Sequence, residues 1–107
     1  MSALRQPQSQ AGEGQGGIAD PAFKVLMANA KAMKRGRLSV WTVYKTPLDH
    51  HDGFLARRFE SGKAAPTPTE DTVTGKLEGL RDIFTRAGLI KQIRDEGDEP
   101  QIVETWI

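Results

Sequence analysis

The sequence predicts a small α+β domain: a mainly antiparallel β-sheet packed on one helix, preceded by an amphipathic helix and a disordered N-terminal arm. Three observations carry this. β-Branched and aromatic residues crowd Leu38-Ser39-Val40-Trp41-Thr42-Val43-Tyr44-Lys45, and a turn-rich gap with Pro47, Asp49, Asp52 and Gly53 separates them from Phe54-Leu55-Ala56-Arg57-Arg58-Phe59-Glu60. That is the signature of two antiparallel strands. Two further segments repeat apolar residues at spacings of three and four, with capping residues at their ends, which is helical periodicity. The last seven residues, Gln101 to Ile107, return to an apolar β-prone run.

In chain order, residues 1–17 are rich in Gln, Gly and Ser and nearly devoid of large apolar side chains. They lack the area needed to offset the entropy of ordering and are expected to form the arm. An amphipathic helix is expected within 18–36, because Asp20 is an N-cap residue with Pro21 at the first helical position and Phe23, Leu26, Met27, Ala30 and Met33 form one stripe. Gly36 ends it. Residues 37–107 form the α+β domain in the order β-β-(β)-α-β-β. After the hairpin, Thr69 to Val73 suits a short edge strand, with Glu70 and Asp71 blunting the edge. Thr74 can cap a second helix from Gly75 to about Ala87, with Leu77, Leu80, Phe84 and Ala87 as its buried stripe and Gly88 as its stop. Leu89 to Arg94 reads as a strand, residues 95–100 as an acidic turn and residues 101–107 as the closing strand.

The strands carry apolar groups on both faces. Leu38, Val40 and Tyr44 alternate with Trp41 and Val43, and Leu55 and Phe59 alternate with Phe54 and Ala56. One helix covers one face of such a sheet, so the other requires the N-terminal helix, a second copy or a different partner. The expected interaction surface is Trp41, Val43, Arg57, Phe59 and Trp106, with the Arg57 stem packing on Trp41 and its head reaching a carboxylate such as Glu104.

At 107 residues there is room for one domain. A foldable part of about 70 residues buries only about 60% of its unfolded surface, so it is marginal in isolation. The absence of cysteine excludes disulfides and Cys-rich zinc sites as staples. Apolar runs fall far short of the roughly 20 residues that a spanning helix requires, and no apolar leader precedes the domain, so a cytoplasmic protein without a membrane partner is expected. Net charge is +1, but Met1 to Arg37 carry six basic side chains against two acidic ones, while Ala65 to Ile107 carry five against nine.

Chemistry-bearing constellations are sparse. Gly12, Gly14 and Gly17 satisfy G-x-G-x-x-G, but no strand precedes them and no acidic residue follows at the required distance, so a linker is the expected role. Asp49-His50-His51-Asp52 is the densest group of metal-capable side chains. Neighbours in a tight turn diverge, which leaves His50, His51 and Asp52 as weak candidates and no metal site or cofactor as the expectation. None of the four serines lies in a nucleophile elbow and there is no H-E-x-x-H, so catalysis is not expected. Lys31, Lys34, Arg35 and Arg37, together with Arg57, are the candidate phosphate contacts if the protein binds nucleic acid.

Trp41-Thr42-Val43-Tyr44, Pro47, Asp49, Ala56-Arg57-Arg58-Phe59-Glu60, Pro66-Thr67, Leu77-Glu78-Gly79-Leu80-Arg81, Asp98, Pro100, Ile102-Val103-Glu104 and Trp106 form a pattern that resembles a group of small bacterial proteins of about a hundred residues without assigned activity. The resemblance covers roughly residues 41–107 and rests on packing positions. It implies a compact unit and supplies no catalytic residues. The functional expectation is therefore a non-catalytic protein-interaction or accessory module that self-associates through a sheet face. Nucleic-acid binding is the alternative, and a small enzyme or metal-binding protein using the Asp49–Asp52 loop comes third.

Overall fold

The computed structural model describes residues 20–45, 53–62, 65–94, 97 and 101–107. Elements run in the order α1 (Pro21–Lys34), β1 (Leu38–Lys45), β2 (Phe54–Ser61), β3 (Thr67–Gly75), α2 (Leu77–Arg86) and β4 (Ile102–Trp106). The four strands form one antiparallel sheet in the spatial order β3-β2-β1-β4, with β1 and β2 in its middle. This is the expected α+β class. The predicted arm over residues 1–17 lies outside the described residues.

Local chemistry accounts for the helix ends. The Asp20 carboxylate accepts the Ala22 N–H at 2.9 Å, which satisfies one of the orphan donors of the first turn. Both helices close the same way: Gly36 (φ 75°) and Gly88 (φ 85°) adopt the left-handed conformation that favours glycine. The following N–H reaches back to a carbonyl in the last turn, Arg37 to Ala32 and Leu89 to Phe84, each at 2.9 Å.

The core lies between the sheet and both helices. Trp41, Val43, Ala56 and Trp106 from one face of the sheet meet Ala22 and Val25 of α1, Leu80 and Phe84 of α2 and Ala87 beyond it. Phe84 sits between the two tryptophans, with ring centroids 5.5 Å from Trp41 and 5.6 Å from Trp106. The sheet is thus packed on two helices rather than one. α1 contributes Ala22 and Val25 to this core.

Three expectations are corrected. The predicted stripe of α1 points away from the core: Phe23, Leu26, Met27, Ala30 and Met33 are exposed, whereas Ala22, Val25 and Ala32 are buried. The reason is visible at Trp41, whose indole N–H donates to the Asn29 side-chain oxygen Oδ1 at 2.9 Å. A buried indole donor requires an acceptor, and Asn29 shares its side of the helix with Val25 four residues before and Ala32 three residues after. This side therefore meets the sheet, its small alanines allow a close approach, and Met27 lies on the opposite side. Second, β3 runs to Gly75, so Thr74 pairs with Leu55 instead of capping α2, whose N-cap position is taken by Lys76 without a side-chain bond. Ladder bonds and the β-preference of threonine prevail over capping. Third, the strand expected over 89–94 shrinks to a bridge from Lys91 to Trp106, flanked by Ile90 exchanging bonds with Ile107 (2.8 and 3.0 Å) and by Gln92 donating to Thr105 (2.8 Å).

Candidate interaction site

Because β1 pairs with β2 so that Trp41 opposes Arg58 and Val43 opposes Ala56, the intervening residues share the other face. There Val40 faces Phe59, Thr42 faces Arg57 and Tyr44 faces Leu55. β3 adds Thr72 and Thr74, opposite Arg57 and Leu55, and β4 adds Thr105 and Ile102, opposite Thr42 and Tyr44. Both helices lie on the core side. Among the described residues no element covers this second face, where Val40, Leu55 and Phe59 are half-buried by their sheet neighbours alone. Arg57, which shares this face, donates Nη1–H to the Thr69 carbonyl at 2.6 Å.

The five residues expected to form one surface are therefore divided. Trp41, Val43 and Trp106 are buried in the core, while Arg57 and Phe59 lie on the open face. A one-residue change of parity between paired strands exchanges faces, and the pairing of β1 with β2 sets Trp41 beside Arg58, not Arg57. The expected contact of Arg57 with Trp41 and Glu104 is absent for the same reason. Arg81 of α2 meets Glu104 instead, its Nε 2.6 Å from Oε2, and this neighbour holds the guanidinium above its ordinary pKa. The Trp106 indole completes the buried carboxylate's shell at 3.1 Å.

Arg58, on the opposite side of β2 from Arg57, is 5% exposed and organises the core side of that strand. Between Arg57 and Phe59 the pairing with β3 is irregular: Arg57 opposes Thr72, but Phe59 opposes Pro68. Extra residues in β3 make this a bulge. Thr69 Oγ1 steadies it by donating to the Arg58 carbonyl (2.7 Å) and accepting from the Asp71 N–H (3.2 Å). The bulge delivers Asp71 Oδ2 to Arg58 Nε at 2.8 Å, while Ser39 Oγ (3.1 Å) and Glu60 Oε2 (2.9 Å) accept from the rest of the guanidinium. Arg35, just past α1, grips Glu60 with two bonds of 3.0 and 2.6 Å. These two guanidiniums pull the Glu60 carboxyl down to about 2.

A groove separates α1 from edge strand β3. One part, a cleft of about 430 Å³, has Val25, Ala28, Trp41 and Val73 at its floor and Glu70 to Thr74 along one wall. The adjoining part, about 390 Å³, is lined by Phe23, Lys24, Met27, Lys31, Arg35 and Arg58, with Asp71 as an acidic member of its wall. No contiguous sequence motif announces it, since its two walls are about 45 positions apart.

The candidate nucleic-acid residues are not assembled into one surface. Lys31, Lys34, Arg35 and Arg37 cluster at the end of α1, Arg35 is occupied by Glu60, and Arg57 is on the opposite side of the sheet. The loop with His50, His51 and Asp52 lies outside the described residues; among those described, no three His, Asp or Glu side chains are placed to hold a metal ion. No helix among them is long and apolar enough to cross a membrane. Compared with known proteins, the chain matches no family model, and no curated protein or solved structure is significantly similar to it.

Proposed function

We propose that the protein is a non-catalytic interaction module that pairs with a second copy of itself through the open face of the sheet. The observation that carries this is the composition of that face: Val40, Leu55, Phe59 and Ile102 among threonines, with Arg57 beside them and with both helices on the other side. Four strands about 4.8 Å apart, with residues rising about 3.3 Å each, present a surface of roughly 20 by 26 Å. Two such faces bury on the order of 1,000 Å², the lower bound for a specific pair. Sheets stacked face to face are also a standard way to cover residues of this kind. The carboxylates that approach other ionisable groups, Asp20, Glu60, Asp71, Asp82 and Glu104, each meet an arginine in a structural pair. That use of charge supports an architectural role.

Sedimentation of the full chain tests the reading. A concentration-dependent monomer–dimer equilibrium is expected, and Phe59→Lys, which sets like charges against each other across the pair, should shift it to monomer with the circular dichroism spectrum retained. A wild-type chain that remains monomeric at 100 µM, or a Phe59→Lys variant that dimerises as well as wild type, would refute it.

A further inference from the structure

Helix α1 is apolar on both sides. Its inner side holds Ala22, Val25 and Ala32 against the core, and its outer side carries Phe23 (37% exposed), Leu26 (46%), Met27 (42%) and Met33 (66%), joined by exposed Ala30. These five follow the spacing i, i+3, i+4, i+7, i+10. A surface helix ordinarily confines such residues to the side it buries. The outer stripe spans about 15 Å, or nearly three turns at 1.5 Å per residue, and beside it runs the cleft lined by Phe23, Lys24, Met27 and Lys31.

The charge on α1 itself has one sign; the acidic side chains of the groove, Glu70 and Asp71, belong to the facing wall on β3, where Asp71 is paired with Arg58. Pro21–Lys34 contains no acidic residue, and Lys24, Lys31 and Lys34 form no ion pair with described residues. Arg35 is held by Glu60. We propose that the outer face of α1 is a docking site for an acidic amphipathic helix of another protein. Its apolar side chains would pack on Phe23, Leu26, Met27 and Met33, and its carboxylates would lie over Lys24, Lys31 and Lys34.

Charge complementarity selects this occupant. A second copy of α1 would set lysines against lysines, a like-charge arrangement that destabilises facing helices. A bilayer is flat, whereas the stripe borders a cleft. Helix-in-groove docking uses anchors at the spacing seen here, and methionines adapt to the partner's contour. The surface is on the opposite side of the molecule from the open sheet face, so it stands or falls independently of self-association.

The probe is a fluorescein-labelled, end-capped 18-residue peptide with leucines at i, i+4, i+7 and i+11 and glutamates flanking them. Anisotropy is read on titration with the full chain in 50 mM salt. Saturable binding is expected, at least tenfold weaker for Leu26→Asp and for Lys24→Glu/Lys31→Glu, while Phe59→Lys retains it. Thermal melts of each variant confirm that the fold is intact. Absent binding, equal binding of a scrambled peptide of the same composition, or unchanged affinity in folded Leu26→Asp would overturn the proposal. So would binding confined to vesicles containing 30% phosphatidylserine.

Discussion

At the scale of single residues, the buried polar groups decide how the fold is assembled. Asn29 is the sharpest case, because its side chain serves a donor on a different element. Asn29→Ala leaves the Trp41 indole N–H without that partner and should cost about 1–3 kcal/mol, read by urea unfolding; an unchanged midpoint would show that the bond contributes nothing. Glu60 gives a pH prediction. Its folded pKa of about 2 is below the ordinary 4.5, so folding favours the ionised form. The stability contributed is complete above about pH 4.5 and lost as pH falls toward 2. Melting temperature should therefore decline over that interval, and Glu60→Gln should flatten the decline relative to wild type. An equally steep decline in the variant would assign acid sensitivity to other carboxylates, such as Asp20, which its bond to Ala22 and then Arg86 also hold low.

At the scale of elements, α1 is a helix whose docking and whose capping can be tested separately. Asp20 both caps the first turn and meets Arg86 at 3.0 Å. Asp20→Ala should lose about 1 kcal/mol from the cap, which corresponds to about 4–8 °C in a domain of this size. The outward stripe makes a sharper contrast. Val25→Asp places an unpaired charge in the core and should abolish folding, while its neighbour Leu26→Asp should change stability by no more than about 0.5 kcal/mol. Thermal melts of the two variants decide the orientation of the helix, since a stripe facing inward would reverse their order. β3 shows the same dependence on context: its bulge leaves the strand irregular but brings Asp71 to Arg58, and Thr69 holds both.

For the whole molecule, layering matters most. Helices cover one face of the sheet, the other face is apolar and open among the described residues, and the outermost side of the helix layer carries a second apolar stripe. The two surfaces differ in charge, so their proposed interactions should differ in salt dependence. Raising sodium chloride from 50 to 500 mM shortens the Debye length from well above 10 Å to under 5 Å. Self-association through the sheet face should change less than twofold, whereas peptide binding at α1 should weaken at least tenfold. Sedimentation and anisotropy in both buffers provide the check, and a self-association that collapses in salt would move the interface away from the open sheet face.

What the sequence determined by itself was local. The Asp20-Pro21 start, the glycine stops at 36 and 88, the strand character of β1 and β2 and the periodicity of Leu80, Phe84 and Ala87 in α2 are all set within a few residues, and each stands where the sequence puts it. Alternation also placed Arg57 with Leu55 and Phe59 on one side of β2. Only the tertiary structure decided which side faces the core, because cross-strand register depends on a turn and on both neighbours. It likewise chose Ala22, Val25 and Ala32 over the larger Phe23, Leu26 and Met27. A helix wheel ranks residues by hydrophobicity, but the packed helix had to satisfy a buried indole, and the acceptor for it lies on the less apolar side.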